Sequence, residues 1–191
     1  MPRPGRARLF TPLPPDPYIV EQGAPTINPP PGRPRNPAVF MLNEVYNRRI
    51  LELAGNIPRI GRLAAPDASA TAHSKLCGST VTVDLKMDGD TVTDFAHEVK
   101  ACALGQASSS IMARNIVGSK ANELRELREG VRKMLKENGA PPANGKWADI
   151  AVLEPVRDYK ARHASTLLTF DAVVDAIGQI EAKRDGKAQA Q

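Results

Sequence analysis

The chain has 191 residues, 41 % of them hydrophobic and 25 % charged, with a formal net charge of +5. That balance suits one globular domain with a tail, and no apolar run approaches the about 20 residues that span a bilayer, so a soluble protein without membrane association is expected. Nucleic acid is a poor partner: residues 1–40 carry five Arg against Asp16 and Glu21, so most of the charge sits there, and no basic stripe is interleaved with aromatics.

Residues 1–40 hold 12 of the 17 prolines, a density that blocks helix interiors and central strands. With little apolar area to bury, the segment is expected to be a disordered tail. It contains no Ser and is broken by proline, unlike a mitochondrial transit peptide. Folded patterning begins abruptly at Met41, which suggests Met41 as the true start and a tail that is not translated. The expected domain therefore covers 41–185.

From Met41, Leu42, Val45, Tyr46, Ile50 and Leu53 fall at helical spacing, with Gly55 and Pro58 to end the helix. A strand is expected across "ASATAHSKL" (68–76). "STVTVDLKM" alternates strictly. Val81, Val83, Leu85 and Met87 share one face, and Thr80, Thr82, Asp84 and Lys86 the other, as in a half-buried strand. "DGD" supplies a turn, and "TVTDFAHEVKA" returns as the next strand.

Beyond Cys102 the period becomes helical. "ALGQASSSIMARNIVG" is rich in small residues and should pack closely, the Ser108–Ser110 run serving packing and capping. "SKANELRELREGVRKMLKENG" places Leu124, Leu127, Val131 and Leu135 on one face, with Ser119 to cap its start and Asn138-Gly139 its end. Its charges read as a solvated face with i,i+4 pairing. A loop containing Pro and Gly leads to a last helix, "STLLTFDAVVDAIGQIEAK", capped by Ser165 or Thr166, and "KRDGKAQAQ" should fray. The order predicts an α+β fold: a small antiparallel sheet of about three strands packed by helices.

The chain has two cysteines, Cys77 and Cys102, and nothing in it reads as a secretory signal. A disulfide framework is excluded, and a reducing cytoplasm is expected. Cys77 lies in "LCGS", where Gly78 allows close approach of the backbone. Cys102 directly precedes a helix, whose N-terminal amides favour a thiolate. Two buried, inert thiols fit the same spacing. A thiol enzyme is disfavoured because no His is evidently placed to activate either cysteine.

"LCGSTVTVDL" followed by "FAHEVKACALGQASSSIMA" resembles the IscU/NifU/SufU iron–sulfur scaffold family, and the resemblance covers nearly all of 41–184. It implies the same fold, no enzymatic turnover of a small molecule, and a labile cluster, [2Fe–2S] before other types, held through Cys77 and Cys102. It implies a cysteine desulfurase and apo iron–sulfur proteins as partners. The family site uses three cysteines and an Asp, with a His before the third Cys in some members. Here the Asp position is Ser79, the third Cys position is Ser165 and the His position is Ala164.

Arg162 matches an Arg of SufU-like members, and "LEPVR" (153–157) is similar to the chaperone-recognition segment. Two thiolates are half of a Cys₄ set. The remainder could come from His163, His73 or His97, from a second subunit in a homodimer, or from a small thiol. His163 neighbours the family's ligand position and is the first candidate metal ligand after the two cysteines. His73 and His97 read as strand or turn residues. A degenerate interaction or regulatory module that binds no cluster, and a zinc-binding structural protein, remain open.

Overall fold

The computed structural model describes residues 48–142 and 145–189. The Pro-rich segment 1–40, the Met41 junction, and Leu42, Val45 and Tyr46 lie outside the described residues. Helix α1 covers 48–55 and ends ahead of Pro58, with Leu53 buried.

Three strands follow: β1 (Ala68–His73), β2 (Thr80–Asp88) and β3 (Thr91–Lys100). They pair antiparallel in the order β1-β2-β3. Alternation along β2 works as expected on its apolar face, where Val81, Val83 and Leu85 are fully buried. Each such side chain contributes about 1.5–3 kcal/mol by leaving water. One residue breaks the pattern. Asp84 lies on the face expected to be polar, yet it is fully buried. Arg62 explains it: Nε and Nη2 donate to the two Asp84 carboxylate oxygens at 2.7 and 2.9 Å, and the Leu63 amide adds a third bond at 3.0 Å. A buried carboxylate needs such partners. Burial pushes its pKa up, but these donors outweigh it and hold the group below the usual range.

Helix α2 (Ala103–Asn115) leads to α3 (Ala121–Lys136). The cap of α3 differs from expectation. Lys120 holds the N-cap position, while the Ser119 hydroxyl donates to the Asn115 carbonyl and accepts from Lys146. At the other end Asn138 takes a left-handed φ of 54° and the Gly139 amide donates back to Lys133, the expected stop. The charged face of α3 is not simply solvated. Arg125 pairs with Glu181 and Arg128 with Asp171, both on the last helix.

The expected Pro-Gly loop is instead partly a 3₁₀ helix over Gly145–Asp158, which buries Trp147, Ile150 and Leu153. Trp147 Nε1 donates to Glu123 at 2.7 Å, tying it to the first turn of α3. Helix α4 runs Lys160–Ala188. It starts five residues before Ser165 and continues through residues expected to fray. Ser165 and Thr166 are therefore not caps; both hydroxyls donate back to the Arg162 carbonyl inside the helix. Phe170, Val173 and Ile177 of α4 pack in one core with the apolar face of β2. The fold is α+β, one three-stranded sheet packed by helices. Among the described residues no helix is long and apolar enough to cross a membrane.

Candidate functional site

Strand register carries both cysteines to one end of the sheet. His73 opposes Thr80 and Thr80 opposes Lys100. Cys77 lies three residues before Thr80, and Cys102 two residues after Lys100.

Cys77 rides on a tight connection between β1 and β2. The Ser74 amide donates to the Ser79 carbonyl and the Gly78 amide to the Ser74 carbonyl, both at 2.9 Å. The closure needs Gly78, whose φ is +67°. The connection leaves Cys77 exposed. Two hydroxyls flank the sulfur, Ser74 at 3.3 Å and Ser79 at 3.0 Å. Donated to a thiolate, they lower its pKa to about 7, with smaller help from the Ser79 amide and the Arg162 charge. Ser79, at the position of the family's Asp, therefore acts as a hydroxyl partner of Cys77.

Cys102 is the N-cap residue of α2 and is half-buried. Burial pushes its thiol up. The Ser165 hydroxyl, 3.5 Å from Sγ, the Gly105 and Leu104 amides and the Arg162 charge outweigh that, and the net shift is downward. Ser165 is fully buried and stands beside Cys102. The approach is close because residue 105 lacks a side chain. A Cβ there would lie 2.8 Å from Ala101 Cβ and 2.9 Å from the Ser165 carbonyl oxygen. The Arg162 charge favours both thiolates.

The histidines do not join this pair. Among the described residues, no three His, Cys, Asp or Glu side chains form a group able to hold a metal ion. His163, expected as the third ligand, is buried, its Nε2 3.0 Å from the Arg157 carbonyl oxygen. It borders a cavity with Lys136, Lys160 and Ala164. His97 is fully buried with Nε2 bonded to the Pro58 carbonyl. His73 is exposed and meets the Thr80 hydroxyl at 3.0 Å. The Ser108–Ser110 run is buried packing: Ser108 donates to the Leu104 carbonyl and Ser110 to the Asn56 carbonyl. Sequence reasoning missed Ser74. Its placement three residues before Cys77 was the only signal, and the turn alone makes that spacing a contact.

A family model described as "NifU-like N terminal domain" matches residues 45–166. The chain is 28 % identical over 138 residues to the iron–sulfur cluster assembly scaffold protein IscU of Thermotoga maritima, covering 71 % of this chain and 94 % of that one. It is 23 % identical over 140 residues to the zinc-dependent sulfurtransferase SufU of Bacillus subtilis, covering 73 % and 94 %. Among solved structures, the N-terminal part of a nitrogen-fixing NifU-like protein from Brucella abortus superposes with a TM-score of 0.72 at 69 % identity, over 75 % of this chain and 99 % of that one.

Proposed function

Because the chain belongs to the NifU-like N-terminal domain family, we propose that it serves iron–sulfur cluster assembly, taking up iron and sulfide through the thiolates of Cys77 and Cys102 and passing the cluster on. The observation that carries this is that the chain's two thiols lie at one sheet end, Cys77 beside two hydroxyls, Cys102 beside one, and both under the Arg162 charge. A thiolate is the form that binds iron, and the Cys77 pKa near 7 makes it abundant at neutral pH.

Arg162 balances negative charge as thiolates and sulfide gather. The exposed position of Cys77 lets a partner reach it. A cysteine desulfurase as sulfur donor and apo iron–sulfur proteins as acceptors complete the scheme. The chain holds cargo and has no small-molecule turnover of its own; the cytoplasm is its expected compartment.

A second role has one observation in its favour. Ser165 and Ser79 replace two ligands of the family pattern, and among the described residues no third protein ligand stands near the thiols. A chain that kept the fold as an interaction module would look the same. Zinc, the metal in the name of the SufU relative, would also find only two thiolates of its usual four ligands.

Anaerobic reconstitution of the full chain with ferric iron and sulfide separates these roles, read by absorption and by iron, sulfide and zinc analysis. Wild type should take up a labile, oxygen-sensitive cluster. Cys77→Ser and Cys102→Ser should not, and Ser165→Cys should retain it more tightly. If wild type takes no iron while Ser165→Cys does, the interaction module is the correct role.

A further inference from the structure

We propose that two copies of this chain pair through the open edge of β1, strand against strand, and join their sheets into one. The pairing is independent of cluster binding and is tested without iron.

The main chain shows which edge is open. In the order β1-β2-β3, β1 and β3 are the two edges of the sheet. The β3 edge is covered. The His97 amide donates to the Arg59 carbonyl, and the His97 carbonyl accepts from the Gly61 amide. Val92 makes the same two kinds of bond with Ser119 and Gly118. Among the described residues, β1 pairs with β2 alone.

The Ser74 amide donates to the Ser79 carbonyl at 2.9 Å. Hydrogen-bonded pairs alternate along an antiparallel ladder, so Ala72 opposite Val81 and Ala70 opposite Val83 also turn their main chain to β2. Ser69, Thr71 and His73 therefore turn their amides and carbonyls outward, and all three residues are exposed. Such an edge is a template for another strand, and proteins blunt it with charges or proline. Ala68–His73 reads ASATAH and has neither Lys, Arg, Asp, Glu nor Pro.

Self-complementarity names the occupant. A twofold axis at Thr71 sets Thr71 opposite Thr71 and Ser69 opposite His73, the isologous arrangement of a symmetric dimer. Every outward group then finds a partner, in about six main-chain hydrogen bonds. On one face Ala70 meets Ala72, and both are too small to clash. On the other, the Thr71 hydroxyl already bonds that of Thr82 at 2.9 Å. Two copies extend this into a continuous row, Thr82–Thr71–Thr71–Thr82, of favourable cross-strand pairs. Charge fits in the same register. The exposed Lys75 of one copy falls opposite the exposed Asp67 of the other, at both ends of the contact. Asp67 Oδ2 accepts from the Met87 amide, which leaves Oδ1 for Lys75. Because the paired strands are antiparallel, the thiol ends beyond His73 lie at opposite ends of the joined sheet, and Cys77 stays exposed in each copy.

The test uses the full chain, iron-free and reduced. Sedimentation equilibrium over a wide range of concentration should show a reversible monomer–dimer equilibrium. Amide hydrogen exchange locates the contact: Ser69, Thr71 and His73 should exchange slowly in the dimer and fast on dilution, while Ala70 and Ala72 stay protected in both. Thr71→Lys keeps the main chain and sets two ammonium groups face to face on the axis. Lys75→Glu sets like charges against Asp67. Each should weaken dimerisation about fivefold or more, with Thr71→Ser close to wild type. Circular dichroism checks that each variant folds, and if Thr71→Lys does not, Lys75→Glu reads the same contact. A chain that is monomeric throughout, or a dimer that neither charge variant weakens, overturns the pairing. So do outward amides that are already protected in the dilute monomer, since another segment of the same chain then covers the edge. None of these outcomes touches cluster binding, which is read separately by iron content.

Discussion

Replacing Gly105 with Ala tests the seam that brings α4 against Cys102. In an isolated helix this change helps, by at most about 1 kcal/mol, because Ala loses less backbone freedom than Gly. Here the new Cβ would sit 2.9 Å from the Ser165 carbonyl oxygen and 2.8 Å from Ala101 Cβ. Backbone cannot rotate away as a flexible side chain can, so α2 and α4 must separate by several tenths of an ångström. Overpacking of this kind costs about 1–3 kcal/mol. Net destabilisation of about 1–2 kcal/mol should remain, which lowers the thermal midpoint by about 2–8 °C for a domain of this size.

Gly178 provides the control. It is also within a helix, α4, but a Cβ there meets nothing within 4 Å, so Gly178→Ala should stabilise by up to about 1 kcal/mol. Thermal unfolding followed by far-UV circular dichroism reads both. If Gly105→Ala raises the midpoint as Gly178→Ala does, the close contact of the two helices is wrong, and with it the approach of Ser165 to Cys102.

Cys77 should alkylate with a half-maximal rate near pH 7, and Ser74→Ala should shift that midpoint upward; an unchanged midpoint would show that the hydroxyls do not tune it. Burial depresses the His97 pKa, so the folded chain resists protonation that the unfolded chain accepts. Its contribution is intact above about pH 6.5 and lost as pH falls below that; the loss of midpoint between pH 7 and 5 should be smaller in His97→Gln than in wild type, and equal slopes would refute the assignment. Asp84→Asn removes the buried carboxylate that pairs with the half-exposed Arg62, and urea titration should show a loss of about 1–3 kcal/mol; a change below about 0.5 kcal/mol would mean that the pair contributes little. Trp147→Phe cuts the bond to Glu123 and should cost about 1 kcal/mol, with urea unfolding read by circular dichroism; no change would place the hold on the 3₁₀ segment elsewhere.

Local pattern was enough to determine the hairpin and the amphipathic helix α3. Period-two alternation through Val81, Val83 and Leu85 and the turn at Asp88-Gly89 set β2 and β3, because a strand's side chains alternate whatever packs above it. The similar lengths of β2 and β3 and their antiparallel register bring Cys102 back to the end where Cys77 sits. Two things lay beyond local pattern. Alternation puts Asp84 on the polar face, but its partner Arg62 comes from a segment 22 residues earlier, and alternation carries no information about such a partner.

The start of α4 was misplaced for a related reason. A Ser or Thr is a cap only if the preceding residues are not already helical, and the turn from Lys160 to Ala164 is held by the buried His163 against the Arg157 carbonyl and by the Arg162 amide on the Tyr159 carbonyl. The same helix start decides the site. Whether Ser165 faces Cys102, and whether His163 turns to the thiols or to the Arg157 carbonyl, depends on how α4 rotates against α2. Close packing at Gly105 restricts that rotation, and no spacing along the chain reports it. Local pattern sets the strands that flank the two thiols; the packing of α4 on α2 selects the groups that surround them.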